Sequence, residues 1–293
     1  MPGADREFAA TVGDDGPVTV TGLATRAGPV ADARVVRAPI GVRDIQATEM
    51  IVTCGAGTPV GDLRAALADV GQTVALPESG TVGGALAVGH SDVDRLRYGP
   101  LRDALLQARY VAASGQLVTI GGPTVKNVSG FDMCRLFVGS LGTLGFLSEV
   151  TLRTRPLPRA SGWWTSRRDP HELLTHLYRP AALLWDGTTT WVRLDGATDD
   201  LAAQAKRHDL ATAPDPPPIP NAGRSSHRPV ALVEATRRLD HGFLAEIGVG
   251  VVHHAEPIVD SRPVDAAVDE LHHRIKERFD PSGRLNPGRS PLR

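Results

Sequence analysis

Residues 136–154 read LFVGSLGTLGFLSEVTLRT. Gly139, Gly142 and Gly145 fall three residues apart, and an alternating apolar run follows at once. That order predicts a tight loop feeding directly into a strand. Glycine here serves either a turn that needs positive φ or a backbone thinned for a ligand. Three upstream turns have the same character, each closing a short strand: Gly22–Arg26 (GLATR), Cys54–Thr58 (CGAGT) and Gly80–Gly84 (GTVGG). Loops of this kind can aim several backbone N–H groups at one anion. Each alone reads as a turn, but their recurrence in one half of the chain favours a nucleotide. Neither common nucleotide signature is present, because there is no G-x-x-x-x-G-K-[ST] and no G-x-G-x-x-G between a strand and a helix. A Rossmann reading is therefore poor.

The surrounding elements follow from periodicity. Residues 17–21 and 49–53 predict short strands, and residues 59–72 a helix carrying Val60, Leu63, Ala66, Leu67 and Val70, with Gly71 as its C-cap. Residues 76–90 read as a glycine-rich loop. Residues 103–122 predict a hairpin turning at Ser114-Gly115. After Pro156–Pro158 the composition changes, and the four tryptophans (Trp163, Trp164, Trp185, Trp191) all fall within 160–212. There the pattern is strand, helix, two strands hinged at Asp186-Gly187, then helix. Asp169 before Pro170 is a good N-cap, and Asp132 is expected to cap a short DMCRLF helix. Residues 214–229 form a Pro-rich connector, residues 243–255 one long strand or a strand pair, and residues 264–279 an amphipathic helix.

Bulk properties narrow the function. The 293-residue chain is 41% hydrophobic and 22% charged, with a net charge of −1. Nothing draws the whole chain to nucleic acid. The N-terminus lacks the apolar core of a secretory signal, and no apolar run approaches the roughly 18 residues of a spanning helix. A cytoplasmic location is expected. Cys54 and Cys134 are the only cysteines; they are expected to be free buried thiols, and two cannot supply the usual four ligands of an iron–sulfur cluster.

Taken in order, the runs TVGGALAVG, LRYGPLRD, ASGQLVTIGGPTVKNVSGFD and GSLGTLGFLSEVTLRTRPLP, and the ending FDPSGRLNPGR, are specific. The chain resembles the FAD-binding domain of the vanillyl-alcohol oxidase/p-cresol methylhydroxylase superfamily, and is most similar to the FAD-binding E-subunit family of bacterial glycolate oxidases. The resemblance covers residues 50–158 and 270–289 well, 17–50 loosely, and 160–240 barely. It implies an α+β, PCMH-type domain over residues 1–158 in two subdomains, about 1–50 and 51–158. A small α+β cap over 159–255 and a segment 256–293 returning to the FAD domain complete that picture.

The resemblance also implies site residues. Gly22, Ala24, Thr25 and Arg26 would form the first pyrophosphate loop, and Pro77, Gly80, Thr81, Val82, Gly83 and Gly84 the second, beside the flavin. Gly139, Ser140, Gly142, Thr143 and Gly145 would line ribityl and pyrophosphate, with Asn286 near the flavin. Lys126 and Asn127 would contact flavin or substrate, or order their loop. GLATR has one glycine where the family usually has two or three, and it has no histidine, so non-covalent FAD is expected. The implied function is the FAD-binding subunit of a glycolate oxidase-like dehydrogenase of small 2-hydroxyacids. It would pass electrons to a larger flavoprotein subunit and an iron–sulfur subunit, and any membrane association would run through them. A self-sufficient FAD oxidoreductase of a small alcohol or hydroxyacid, and a degenerate flavin fold serving as a scaffold, stay open as alternatives. Hydroxyacid oxidation needs a base, and His253 or His254 could serve; adjacent strand residues face opposite ways, so at most one does. The histidine pairs lack zinc-ligand spacing, and no metal site is expected.

Overall fold

A central strand buried on both faces organises the first half of the chain. The computed structural model describes residues 2–25, 28–123, 132–237, 239, 241–258 and 264–291. The described chain divides into two compact units: Met1–Asp92, Pro100–Leu157 and Pro263–Arg293 form one, Val93–Gly99 and Pro158–Arg262 the other.

The first unit opens with α1 (Pro2–Val12), then β1 (Val18–Val20) and β2 (Arg34–Val36), which pair in parallel. Next come β3 (Val42–Gln46), β4 (Ile51–Gly55), α2 (Val60–Ala68), β5 (Gln72–Thr73) and α3 (Val82–Val88). The short α4 (Arg95–Tyr98) belongs to the second unit. The hairpin β6 (Leu105–Val111) and β7 (Leu117–Gly121), α5 (Cys134–Phe137), β8 (Phe146–Arg153) and β9 (Arg155–Pro156) complete this stretch. The main sheet runs β3-β4-β8-β6-β7 and is antiparallel throughout.

The sequence pattern for β8 predicts alternation, yet seven of its eight residues are buried or nearly so. The reason is that both faces are covered. Leu147, Val150 and Leu152 enter the core against Val60, Leu63 and Leu67 of α2. On the other face Ser148 and Glu149 reach a polar cluster built on α1, an element that periodicity did not announce. Fully buried Asp5 accepts bonds from Arg43 (2.8 and 3.0 Å), Arg109 (2.7 Å) and Ser148 Oγ (2.6 Å), and Glu149 holds Arg43 at 2.5 Å. Burial by itself would raise the Asp5 pKa; these donors and the two guanidinium charges more than offset it, leaving it lowered.

Three local expectations are corrected. The stretch read as a loop at 76–90 contains α3, because Thr81 Oγ1 accepts from Gly84 N at 3.2 Å and caps a turn of small apolar residues. Asp132 does not cap α5; Met133 holds that position without a side-chain bond, and Asp132 pairs with Arg135 Nε at 2.7 Å. The Pro-rich connector contains a strand, since its residues pair with a neighbour rather than with solvent.

That strand lies in the second unit. Its elements are β10 (Ala160–Ser166), α6 (Pro170–His176), β11 (Ala182–Trp185), β12 (Thr190–Gly196), α7 (Thr198–Arg207) and β13 (Ala211–Ala213). The connector strand β14 (Gly223–Ser226), α8 (Leu232–Thr236), β15 (Phe243–Glu246) and β16 (Val251–His254) follow. They make a seven-stranded sheet in the order β13-β10-β12-β11-β15-β16-β14. Asp169 Oδ1 accepts from His171 N and Glu172 N at 2.9 and 3.0 Å, so the predicted N-cap is present. The chain returns to the first unit as α9 (Ala266–Phe279).

Candidate cofactor-binding site

Gly22, Gly57, Gly83 and Gly142 are brought together because each supplies backbone where another loop presses close. A Cβ on Gly22 would lie 2.6 Å from Thr81 Oγ1, one on Gly57 2.2 Å from Ala38 O, and one on Gly83 2.9 Å from Ala56 O. Gly57 and Gly83 thus pack against backbone and Gly22 against the Thr81 side chain, and the loops leave between them a cleft of about 280 Å3. Thr21–Thr25 wall one side, Ala56, Gly57, Thr81, Gly83 and Gly84 a second, and Ser140, Leu141, Gly142 and Gly145 a third. Val20, Ala87, Val88, Phe137, Phe146 and Leu147 give the interior an apolar surface, and Arg289 contributes a cation.

The glycines of the GSLGTLG loop have three different jobs. Gly139 has φ +84 and open space at its Cβ, so its role is conformational. Gly142 has φ +69, and its Cβ would meet Asn286 Nδ2 at 2.6 Å. Gly145 packs under Tyr110, where a Cβ would lie 2.4 Å from the ring.

Asn286, 1% exposed, is the clamp of the site. Its Oδ1 accepts from Thr19 Oγ1 (2.7 Å) and Val20 N (3.3 Å), and its Nδ2 donates to Leu141 O (2.7 Å). One side chain thus ties β1, the glycine loop and the C-terminal segment together. Lys276 Nζ adds a second tie, donating to Thr143 O at 2.8 Å and to Asp280 Oδ2 at 2.5 Å. Arg284, nearly buried, donates to the carbonyls of Val12, Gly13, Asp15, Gly16 and Ala113.

Of the residues expected in the site, Gly22, Ala24, Thr25, Thr81, Gly83, Gly84, Ser140, Gly142, Gly145 and Asn286 line the cleft. Pro77, Gly80, Val82, Gly139 and Thr143 do not; Val82 is fully buried and Thr143 Oγ1 donates to Ser140 O at 2.7 Å. Arg26, Lys126 and Asn127 lie outside the described residues. Several loop amides are already engaged: Val82 N, Gly83 N and Gly84 N bond to Thr58 O, Ala56 O and Thr81 Oγ1, and Leu141 N and Thr143 N to Ala87 O and Ser140 O. Any anion in the cleft is therefore met by Arg289, the hydroxyls of Thr21 and Thr25 and the remaining amides. Reasoning from motifs missed Arg289 and the apolar wall, which depend on packing across the fold.

His253 and His254 lie on β16 in the second unit. His253 Nε2 is 2.7 Å from Oε1 of buried Glu246. His254 Nε2 is 2.9 Å from Ser225 Oγ, which also meets His227 Nε2 at 2.8 Å. Burial, then the neighbouring His227 and His253, lower the His254 pKa.

The donor set fits FAD: a concave, apolar slot framed by glycine turns suits a flat ring system, and a rim arginine suits a phosphate. Residues 16–121 match the model of the "FAD binding domain" family. Glycolate oxidase subunit GlcE of Escherichia coli is 25% identical over 95% of this chain and 93% of its own length. D-lactate dehydrogenase of Archaeoglobus fulgidus is 35% identical over 40% of this chain, which spans 27% of that protein's length. Among solved structures, alkyldihydroxyacetonephosphate synthase superposes with a TM-score of 0.67 over 98% of this chain and 74% of its own, at 14% identity. Fold and cleft define the class: an FAD-dependent oxidoreductase with a PCMH-type, α+β architecture.

Proposed function

We propose that this chain is the FAD-binding subunit of a 2-hydroxyacid dehydrogenase similar to glycolate oxidase, holding FAD non-covalently. The observation that carries the reading is the apolar, glycine-framed cleft, in a chain matching GlcE over nearly its whole length. No histidine, cysteine or tyrosine is among the described residues lining the cleft, which supports a flavin without a covalent link. Bound flavin supplies the hydride acceptor. The residues named for the cleft bind and orient it, while Asn286 and Lys276 hold the loops in register. His253 is the favoured base. With Nε2–H donating to Glu246, Nδ1 is left to take the hydroxyl proton. His254 points to the opposite sheet face and is set aside. Residues 159–255 act as the cap in this reading.

The chain has only two cysteines, so onward electron transfer would use partner subunits, as the name of the GlcE relative suggests. No helix among the described residues is long and apolar enough to cross a membrane, which leaves those partners to provide any attachment. The test is anaerobic mixing of the isolated, FAD-loaded chain with glycolate or D-lactate, followed by co-purification from its native host. Persistent yellow in isolation, with bleaching once partners are restored, is expected. Bleaching by the isolated chain would instead identify a self-sufficient oxidoreductase.

A further inference from the structure

Strand register in the second unit sets Arg224 of β14 directly across from His253 of β16, and His253 directly across from Leu244 of β15. Directly paired residues of an antiparallel sheet share a face, and so does the residue two further along. Arg224, His253, Leu244 and Glu246 therefore occupy one face. Glu246 is buried and already engaged by His253 at 2.7 Å. Among the described residues Arg224 makes no hydrogen bond or ion pair of its own, and Arg95 of α4 lies close enough to repel it. Burial, with Arg95 adding to it and Glu246 opposing, lowers the Arg224 pKa. The carboxylate that attracts Arg224, Glu246, is thus already engaged by a histidine. A half-buried guanidinium with unused donors and a like charge beside it is relieved by an anion, and its planar fork matches a carboxylate best. Next to it the same face is apolar: Leu184 pairs with Glu246, and Leu184, Leu244, Ala182 and Val93 form one buried cluster. An apolar flank of this kind disfavours a multiply charged ligand.

We propose that this face of the second unit binds the carboxylate of a small hydroxy acid, with Arg224 as its anchor, Arg95 adding charge and His253 beside the hydroxyl. The inference rests on the hydroxyacid reading above and assigns the residue that selects the acid. Isothermal titration of the full chain with glycolate tests it, in the presence and absence of FAD. Arg224→Gln should weaken glycolate binding about tenfold or more, and Arg224→Lys should recover part of it, because a charge-assisted bidentate contact is removed and then partly restored. Thermal stability of Arg224→Gln should be unchanged or raised, since no protein contact is lost; a structural arginine would give a fall. The inference is overturned if both variants bind glycolate like the unmodified chain, or if the unmodified chain binds inorganic phosphate as tightly as glycolate. Failure of the flavin reading leaves this titration intact, because it reads binding and not flavin reduction.

Discussion

At the scale of single residues, backbone conformation separates glycines that share one motif. Gly139→Ala meets no neighbour and should cost only the left-handed penalty of about 1–2 kcal/mol. Gly142→Ala pays the same penalty and also drives a methyl into Asn286 Nδ2, so a urea titration should show a larger loss, about 2–4 kcal/mol, with flavin retention falling alongside. The spacing of these glycines was plain in the sequence. Their separate roles were not, because the partners Asn286 and Tyr110 are remote in the chain. The departure in GLATR also acquires a physical meaning. Gly22 stands where Thr81 presses in, while Ala24 takes φ +54, a conformation glycine adopts without strain. Ala24→Gly should therefore raise stability by about 0.5–1 kcal/mol, read from the same titration. Cys54 and Cys134, free and buried, have thiols pushed up to about 12 and about 11 by desolvation. Neither should react with a thiol reagent at pH 8 until the protein unfolds.

At the scale of elements, amphipathic or alternating segments were legible and those held by distant charges were not. The hairpin of β6 and β7, helix α2 and the Asp169-capped α6 follow from local pattern and turn chemistry. Helix α1 does not, since what fixes it is Asp5 against Arg43, Arg109 and Ser148, from strands far along the chain. The Asp5 carboxyl is held below its ordinary value in the folded state. Its stabilisation is thus complete above the unfolded carboxyl pKa of about 3.9 and is lost as pH falls through the lower folded value. Asp5→Asn leaves the two arginines with Glu149 as their one carboxylate in the cluster, and should cost about 2–4 kcal/mol near neutral pH while flattening the acid limb of a stability–pH profile. An unchanged acid limb would show that α1 is held by its apolar side alone, through Phe8 and Val12.

At the scale of the molecule, several motifs in fixed order carried the class of fold, because each glycine turn makes sense only when the others close around the same space. The second unit was less legible: a strand hidden in the Pro-rich connector brings Arg224 beside His253, and Glu246 is placed by pairing across β15 and β16. The central claim is that the cleft holds FAD, and the most direct measurement is the flavin content of the purified chain. Load the protein with FAD, pass it through gel filtration, record its visible spectrum, then precipitate it with acid. A yellow protein carrying one FAD per chain, all of it released into the acid supernatant and raising the unfolding temperature, is the predicted result. A colourless protein whose unfolding temperature ignores added FAD would contradict the account.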